Sequence, residues 1–501
     1  MGLVVRQSIL SSIISYAGVA IGYINLLYLY PKFLSLEQVG LFRTIQDAAI
    51  LFAPFAQFGL AQTIVRYYPR LVTDKNSSQA FISLILLLSF LGFGIFLLVF
   101  KIFESSVLSY FEDNAAQLIQ YTSIVIGSTF LLVLIAVLEA FSRSLLKTVI
   151  PNLLREVVSR VLLSILVLLY FSQILTFDQF IMGSLVSYLI WLVVLIGYLW
   201  LNGELTFNTN FASLDRKHLP DLLQFSLLSF AGMAGMILVG KLDSIMVTAL
   251  LSYAANAIYT TAFYMAAVIE IPKRALSQLA MPLISRAFEK GDTNEVASIY
   301  KKTSINQLIV GILLLIGVWI NLDSVFALMP KGDSYLAGKW VVIIVGGGKL
   351  LDMVFGPSSE IIVLSRYYAF NIVLILMLAV VVVVSNNILI PQMGIEGAAW
   401  GSALALLIFN VVKFFFIYRK LGIQPFQPKT VLVMAIGGIT FLFNYLIPKL
   451  DIHVLDIILR SSLVTILFST LIYFSKSSPE ANQVLHSLLA KSNSIWNKLK
   501  S

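Results

Sequence analysis

An all-helical integral membrane fold is what this sequence predicts, on three observations. Hydrophobic residues make up 59% of the 501-residue chain and charged residues 12%, against roughly 45–50% and 25% in soluble domains. The apolar residues come in long runs, about the 20 an α-helix needs to cross the hydrocarbon layer, and not in the roughly ten-residue alternating segments of a membrane barrel. Finally, the plan of the first lobe returns about 214–218 residues later. Ser15-Tyr16-Ala17-Gly18 is echoed by Ser229-Phe230-Ala231-Gly232, Leu34-Ser35 with Leu41-Phe42 by Leu251-Ser252 with Ile258-Tyr259, and Gly183-Ser184 by Gly401-Ser402. Matches in one order at a nearly constant offset predict two copies of one helical unit.

Counting the runs gives fourteen spans. Six lie near 8–30, 39–64, 80–101, 118–142, 153–173 and 177–201, a first lobe over residues 1–201. A polar linker, 202–220, leads to six more near 221–251, 254–283, 304–322, 339–364, 367–389 and 394–418, a second lobe over 221–420. Two further spans, near 428–447 and 456–475, occupy 421–475, and 476–501 is a tail. The run from Ser8 to Tyr30 exceeds a signal-peptide core and reads as a retained helix. In the tail, Ser478 suits an N-cap with Pro479 at the first helical position. Its apolar residues Val484, Leu485, Leu488, Leu489, Ile495, Trp496 and Leu499 are interspersed with Lys491, Lys498 and Lys500. An amphipathic helix on anionic headgroups follows, with a frayed tail as the alternative.

Lysine and arginine set the orientation. One side holds Arg6, Arg66, Arg70, Lys75, Arg143, Lys147, Arg216, Lys217, Arg286, Lys290, Lys301, Lys302, Arg366, Arg419, Lys420, Lys429 and the tail lysines. The other holds chiefly Lys32, Lys101, Lys331, Lys339 and Lys449, together with Glu104, Glu112 and Asp113. Fourteen crossings with both termini cytoplasmic fit every loop. The formal charge of +9 therefore belongs to membrane topology, and no nucleic-acid partner is expected.

Several chemistries are excluded. The chain has no cysteine, so it forms no disulfide or thiolate site, and its three histidines, His218, His453 and His486, fall in loops or the tail. No metal site is expected. Loops are too short for a catalytic domain, which argues against an enzyme such as a polymerase or glycosyltransferase. Lys349 follows Gly346-Gly347-Gly348 but lacks the earlier glycine and the following Ser/Thr of a phosphate loop, so ATP is not the direct energy source.

The early Ser-Tyr-Ala-Gly helix, Leu36-Glu37-Gln38-Val39-Gly40-Leu41, the Leu242-Asp243 pair and Ile390-Pro391-Gln392-Met393-Gly394-Ile395-Glu396-Gly397-Ala398-Ala399 carry a resemblance. Across most of residues 8–420 the chain resembles the oligosaccharide flippase, or polysaccharide transporter, family of the multidrug/oligosaccharidyl-lipid/polysaccharide (MOP) exporter superfamily. That superfamily also contains multidrug and toxin extruders and lipid II flippases. The resemblance implies a V-shaped pair of six-helix lobes around a central cavity, working by alternating access in a bacterial inner membrane. It implies as substrate an undecaprenyl-diphosphate-linked oligosaccharide for O-antigen or capsule, with polymerase and chain-length proteins of the same pathway as partners. The last two spans are similar to those that help form a lipid-tail groove in lipid II flippases.

A diphosphate headgroup calls for cations in a wet cavity while its prenyl tail stays in lipid. A charged residue at a helix centre costs about 2.5–3.5 kcal/mol on insertion scales, so each needs a reason. Lys349 lies near mid-bilayer with Asp352 three residues on, hence on one face; it is a diphosphate contact or half of a Lys349/Asp352 pair. Gly346 to Gly348 permit close approach of sugars, a local break or helix packing. Lys241 and Asp243 lie two positions apart on different faces of the seventh span. Arg43 and Asp47 are one turn apart in the second, and the resemblance to lipid II flippases favours Arg43 as an anion contact; otherwise it pairs with Asp47 or snorkels. Arg160 sits one turn beyond Glu156, and an intrahelical pair competes with a substrate contact. Glu270, Lys273 and Arg274 share a face of the eighth span, as headgroup receptors or interface anchors. Glu139, Arg143 and Lys413 lie near the cytoplasmic surface and receive no substrate role. Tyr16, Tyr23, Phe230 and Tyr264 either stack sugars or pack.

The substrate-binding set is thus Lys349, Lys241, Arg43, Arg160, Lys273 and Arg274. Asp352, Asp243 and Asp47 are the ion-coupling carboxylates for H+ or Na+, and no other cofactor is expected. A cation-coupled multidrug extruder, with acidic and aromatic cavity walls, and a lipid II flippase are the competing readings.

Overall fold

The computed structural model describes residues 3–72, 74–111, 114–206, 208, 210–211 and 219–487. Among these residues there is no strand. Twelve helices are long and apolar enough to cross a membrane, or thirteen when the bent pair Gly332–Val354 and Ser358–Leu364, at 48°, counts as one span. The count falls short of fourteen at the fifth expected span. That stretch is helical from Val149 to Phe171, but Arg155, Glu156 and Arg160 crowd its first half. Of the residues used for orientation, Glu112, Asp113, Arg216, Lys217, Lys491, Lys498 and Lys500 lie outside the described residues, as does the tail beyond residue 487.

The chain divides into two compact units, residues 1–258 and 259–501. In the first, α1 (Leu3–Ile24) continues through a π-helical segment, Asn25–Leu29, to a last turn at Tyr30–Phe33. There follow α2 (Leu36–Gln57), α3 (Leu60–Leu71), α4 (Lys75–Ser109) and α5 (Ala115–Ser144). Val149–Leu153 and a π segment, Leu154–Val158, lead into α6 (Ser159–Phe171), then α7 (Phe177–Leu201) and α8 (Leu219–Leu250). The starts are encoded locally. Ser35 caps α2 and Thr176 caps α7, each in a reciprocal capping box with a glutamine three residues on, Gln38 and Gln179. Helix α5 is the hub, touching α2, α3, α4 and α7, with Phe81, Val137, Phe141 and Leu195 fully buried.

Helix α8, the first of the second sequence copy, packs on α2 within the first unit. Glycines allow two close approaches here, Gly59 to α8 and Gly40 to Tyr253 of the next helix. A Cβ on Gly40 would lie 1.7 Å from the Tyr253 carbonyl oxygen, and one on Gly59 2.2 Å from that of Ser226.

Helix α9 (Tyr253–Ala267) begins in the first unit and continues into the second; it ends at a 3-10 turn, Val268–Glu270, before α10 (Ile271–Glu289) with Pro272 in its first turn. Then come α11 (Thr293–Leu328), α12 (Lys339–Val354), α13 (Ser358–Leu364), α14 (Phe370–Met393) and α15 (Ile395–Leu421). Helices α16 (Pro428–Phe443) and α17 (His453–Ser475) match the two extra spans. The long α11 is the spine here, meeting α10, α12, α16 and α17. Ser478 caps the helical residues 479–487, its hydroxyl accepting from the Ala481 amide at 3.1 Å.

Candidate functional site

Charge inside the second unit gathers where α10, α12 and α15 meet. The 3-10 turn before α10 presents Glu270, and the first turn of α10 presents Lys273 one helical turn later. Opposite them on α12 stand Lys349 and Asp352, also three residues apart. The signs are crossed, so the helices clasp twice: Lys349 Nζ donates to Glu270 Oε2 at 2.6 Å, and Lys273 donates to Asp352. Arg274 Nε reaches the other oxygen of Glu270 at 3.3 Å. Lys413 of α15 closes the group. It is 1% exposed, donates to Ser359 Oγ at 3.0 Å and lies 3.9 Å from Asp352 Oδ1. The aromatic rings of Phe263 and Phe409 lie 5.1 and 4.2 Å from Lys349 Nζ and Lys413 Nζ.

These partners correct three expectations. Lys349 and Asp352 do not pair with each other; each meets the opposite charge on the neighbouring helix, which satisfies four groups where an intrahelical bond would satisfy two. Lys273 is no interface anchor, being largely buried, whereas Arg274 is open to its surroundings. Lys413, given no substrate role for its nearness to the cytoplasmic surface, is the most enclosed cation of the cluster. The bend at Phe355-Gly356-Pro357 returns Ser359 to it. The glycine run does not break α12: Gly346 packs against Ile269 and Leu315, Gly348 packs against Ala403, and Gly347 faces open space.

On its other side α12 is apolar. Leu350, Leu351 and Val354, with Leu308, Ile312 and Trp319 of α11 and Met434, Gly438 and Phe441 of α16, line a cavity of about 590 Å³. One helix therefore presents a lysine and a carboxylate to one neighbour and an apolar slot to another. Arg460 of α17 secures the turn behind that slot: its guanidinium donates to Asp456 at 2.8 Å, to Asn444 Oδ1 at 2.8 Å and to the Ile447 carbonyl at 3.0 Å. Asp456 also accepts from Ser324 and from the Leu450 amide. Sequence reading passed over Arg460, though Asp456 four residues before it was a visible sign.

In the first unit, Lys241 of α8 donates to Asp47 of α2 at 2.6 Å. The partner of Asp47 across the helices is thus Lys241; the Arg43 guanidinium lies 5.3 Å from the Tyr30 ring centroid. Asp243 is buried. Beside this pair runs a buried polar ladder: Thr44 Oγ1 and Thr248 Oγ1 are 2.7 Å apart, Asn256 donates to Thr44, and Ser244 donates to Asn256. Arg160 and Glu156 bond at 2.9 Å within their helix. Arg155, unremarked in the sequence, holds Glu139 at 3.2 Å and Asn152 at 2.9 Å. Phe230 packs at 5.6 Å from both Phe55 and Phe58, and Tyr16 is exposed.

A family model described as polysaccharide biosynthesis protein matches residues 4–288, more than half of the chain. The chain belongs to that family. Among relatives of this polysaccharide biosynthesis protein family member is an uncharacterized membrane protein of Methanocaldococcus jannaschii, 23% identical over 436 residues, covering 82% of this chain and 83% of the relative. Its fold is similar to that of the lipid II flippase MurJ in an inward closed conformation, with TM-score 0.76 and 16% identity over 93% of this chain and 99% of that one. A multidrug resistance MATE family transporter of the MOP superfamily, inward-facing, aligns with TM-score 0.62 and 15% identity over 81% and 98%. A MOP superfamily transporter from Pyrococcus furiosus aligns with TM-score 0.52 and 13% identity over 84% and 95%. The protein is a multi-pass membrane protein with the MOP superfamily fold.

Proposed function

We propose that this polysaccharide biosynthesis protein is a secondary-transport flippase. It moves undecaprenyl-diphosphate-linked oligosaccharides across a bacterial inner membrane by alternating access between two six-helix lobes, with fourteen spans and both termini cytoplasmic. The observation that carries the reading is the two-sided α12. On one side, Lys273, Arg274, Lys349 and Lys413 surround Glu270 and Asp352. Counting Glu360, which follows Ser359 on α13, four cations stand against three carboxylates, a formal excess of positive charge. A diphosphate is attracted to such a group more strongly than a neutral sugar. On the other side, the apolar cavity suits part of a prenyl chain, which passes into it from equally apolar lipid without exposing polar groups. The chemistry asked of the protein is translocation, with no bond made or broken.

Coupling to H+ or Na+ goes with this proposal, with Asp47 and Asp352, which bond to lysines, and the buried Asp243 as the carboxylates. A lipid II flippase is the second reading, favoured by the alignment with MurJ over 93% of this chain, which reaches past the six-helix repeats. The test is a leaflet-inversion assay in proteoliposomes holding diphosphate-linked lipid sugars of defined headgroup, run on the wild type and Lys349→Ala. The wild type is expected to invert an oligosaccharide-bearing lipid, and Lys349→Ala to lose at least about tenfold in rate while keeping its melting temperature. Absence of inversion by the wild type overturns the reading. Equal rates for the two remove Lys349 from the mechanism.

A further inference from the structure

We propose that Glu270 is a built-in occupant of the phosphate site, holding Lys349 until the diphosphate of a lipid-linked sugar takes that lysine over. This rests on the flippase reading of the same cluster and names which of its carboxylates exchanges.

The two carboxylates differ in what they would leave behind. Asp352 faces Lys273 and Lys413 together, and Lys413 is enclosed on every side. Moving Asp352 away would strand a buried lysine, an expensive state. Glu270 divides its two oxygens between cations: Oε2 accepts from Lys349 and Oε1 from Arg274. Releasing Lys349 leaves Glu270 still bonded to Arg274, whose side chain is 73% exposed. Only Lys349 changes partner, and only one bond has to be replaced.

The backbone suits an exchange at this point. Glu270 closes the 3-10 turn between α9 and α10 and so is not inside a continuous α-helix. Such mid-helix turns mark places where a helix bends at low cost. Lys349 is anchored from behind by the Phe263 ring and keeps its position while its partner changes. A diphosphate brings about two negative charges to a lysine that now meets one. It displaces Glu270 when present, and Glu270 spares Lys349 the cost of an unpaired buried cation when the headgroup has left. Release is therefore assisted, because the carboxylate competes for the lysine as the headgroup departs.

The test measures binding and transport on the full chain. Farnesyl diphosphate and inorganic pyrophosphate serve as probes for the purified protein in lipid nanodiscs, and leaflet inversion of a diphosphate-linked oligosaccharide lipid is followed in proteoliposomes. Glu270→Gln, isosteric but uncharged, is expected to bind farnesyl diphosphate about tenfold more tightly than the wild type and to invert the lipid more slowly. In Glu270→Gln with Lys349→Ala the tightening disappears. If Glu270→Gln fails to fold, Glu270→Asp, which keeps the charge but shortens the reach to Lys349, is expected to tighten binding by a smaller factor. Wild-type affinity in a folded Glu270 variant, alongside normal wild-type inversion, overturns the role of Glu270 and leaves the flippase reading standing. A wild type that neither binds diphosphates nor inverts the lipid overturns both.

Discussion

Lys349 bonds to Glu270, 79 residues away in the chain, and not to Asp352, one turn away on its own helix. The crossed arrangement ties α10 to α12 at two points and leaves Asp352 free to hold Lys413. It makes the three carboxylate and lysine partnerships of the cluster interdependent, so each removal has a distinct expected effect.

Asp352→Asn removes the counter-charge of a fully enclosed lysine. Breaking a buried pair from one side costs about 3–5 kcal/mol, so this variant is expected to unfold at markedly lower denaturant or temperature than the wild type. Adding Lys413→Met, which removes the stranded charge while keeping its bulk, should recover much of the loss. Equal stability of wild type and Asp352→Asn in a detergent melt would count against this account of the pair.

Asp47 and Lys241 link α2 to α8 across 194 residues of sequence. A double-mutant cycle with Asp47→Asn and Lys241→Met is expected to give a coupling of about 0.5–3 kcal/mol, the range for residues in direct contact. Additive effects would mean the bond contributes nothing net.

Gly40→Ala places a methyl group 1.7 Å from the Tyr253 carbonyl oxygen, which is backbone and has no rotamer by which to retreat. Helix α2 must then separate from the segment carrying Tyr253, at a cost of about 1–3 kcal/mol for such overpacking. Thermal melts read this directly, and the Thr44–Thr248 bond one turn away should weaken with it. Gly347→Ala serves as the control, since its Cβ would meet open space.

Gly438 lines the apolar cavity and has no atom within 4 Å of where its Cβ would stand. Gly438→Leu is therefore expected to fold normally while filling part of the slot. Inversion of a long-chain prenyl diphosphate sugar should slow severalfold, and inversion of a short-chain analogue should be spared. Identical inhibition for both lengths would show that the slot is not the path of the lipid chain.

Much of the fold was legible because membrane spans declare themselves by length and apolarity; the compact units divide at 258/259 and not at the linker near 202–220. The span over 149–171 marks the limit: Arg155, Glu156 and Arg160 fall in one half of an otherwise apolar stretch, beside a π-helical segment. Pairing was legible only within a helix. Glu156 with Arg160, four residues apart, was foreseen as one option, but Lys349 with Glu270 and Lys241 with Asp47 depend on which helices become neighbours, which spacing does not encode. The enclosure of Lys413 involves Ser359 of α13, brought beside it by the bend at Gly356-Pro357, and that dipeptide is the available sign.

At 36 residues, α11 is about 54 Å long, well beyond the roughly 30 Å of a hydrocarbon layer, so it tilts steeply or protrudes. Its early turns are moored to the chain's end: Lys302 lies 3.7 Å from Glu480, Asn306 accepts from Ser478, and the Lys301 carbonyl accepts from Gln427. In the proposed transport cycle, any rocking of this shaft would be delivered to the C-terminal extension as a lever delivers a stroke, and a fluorophore placed near residue 483 would read it.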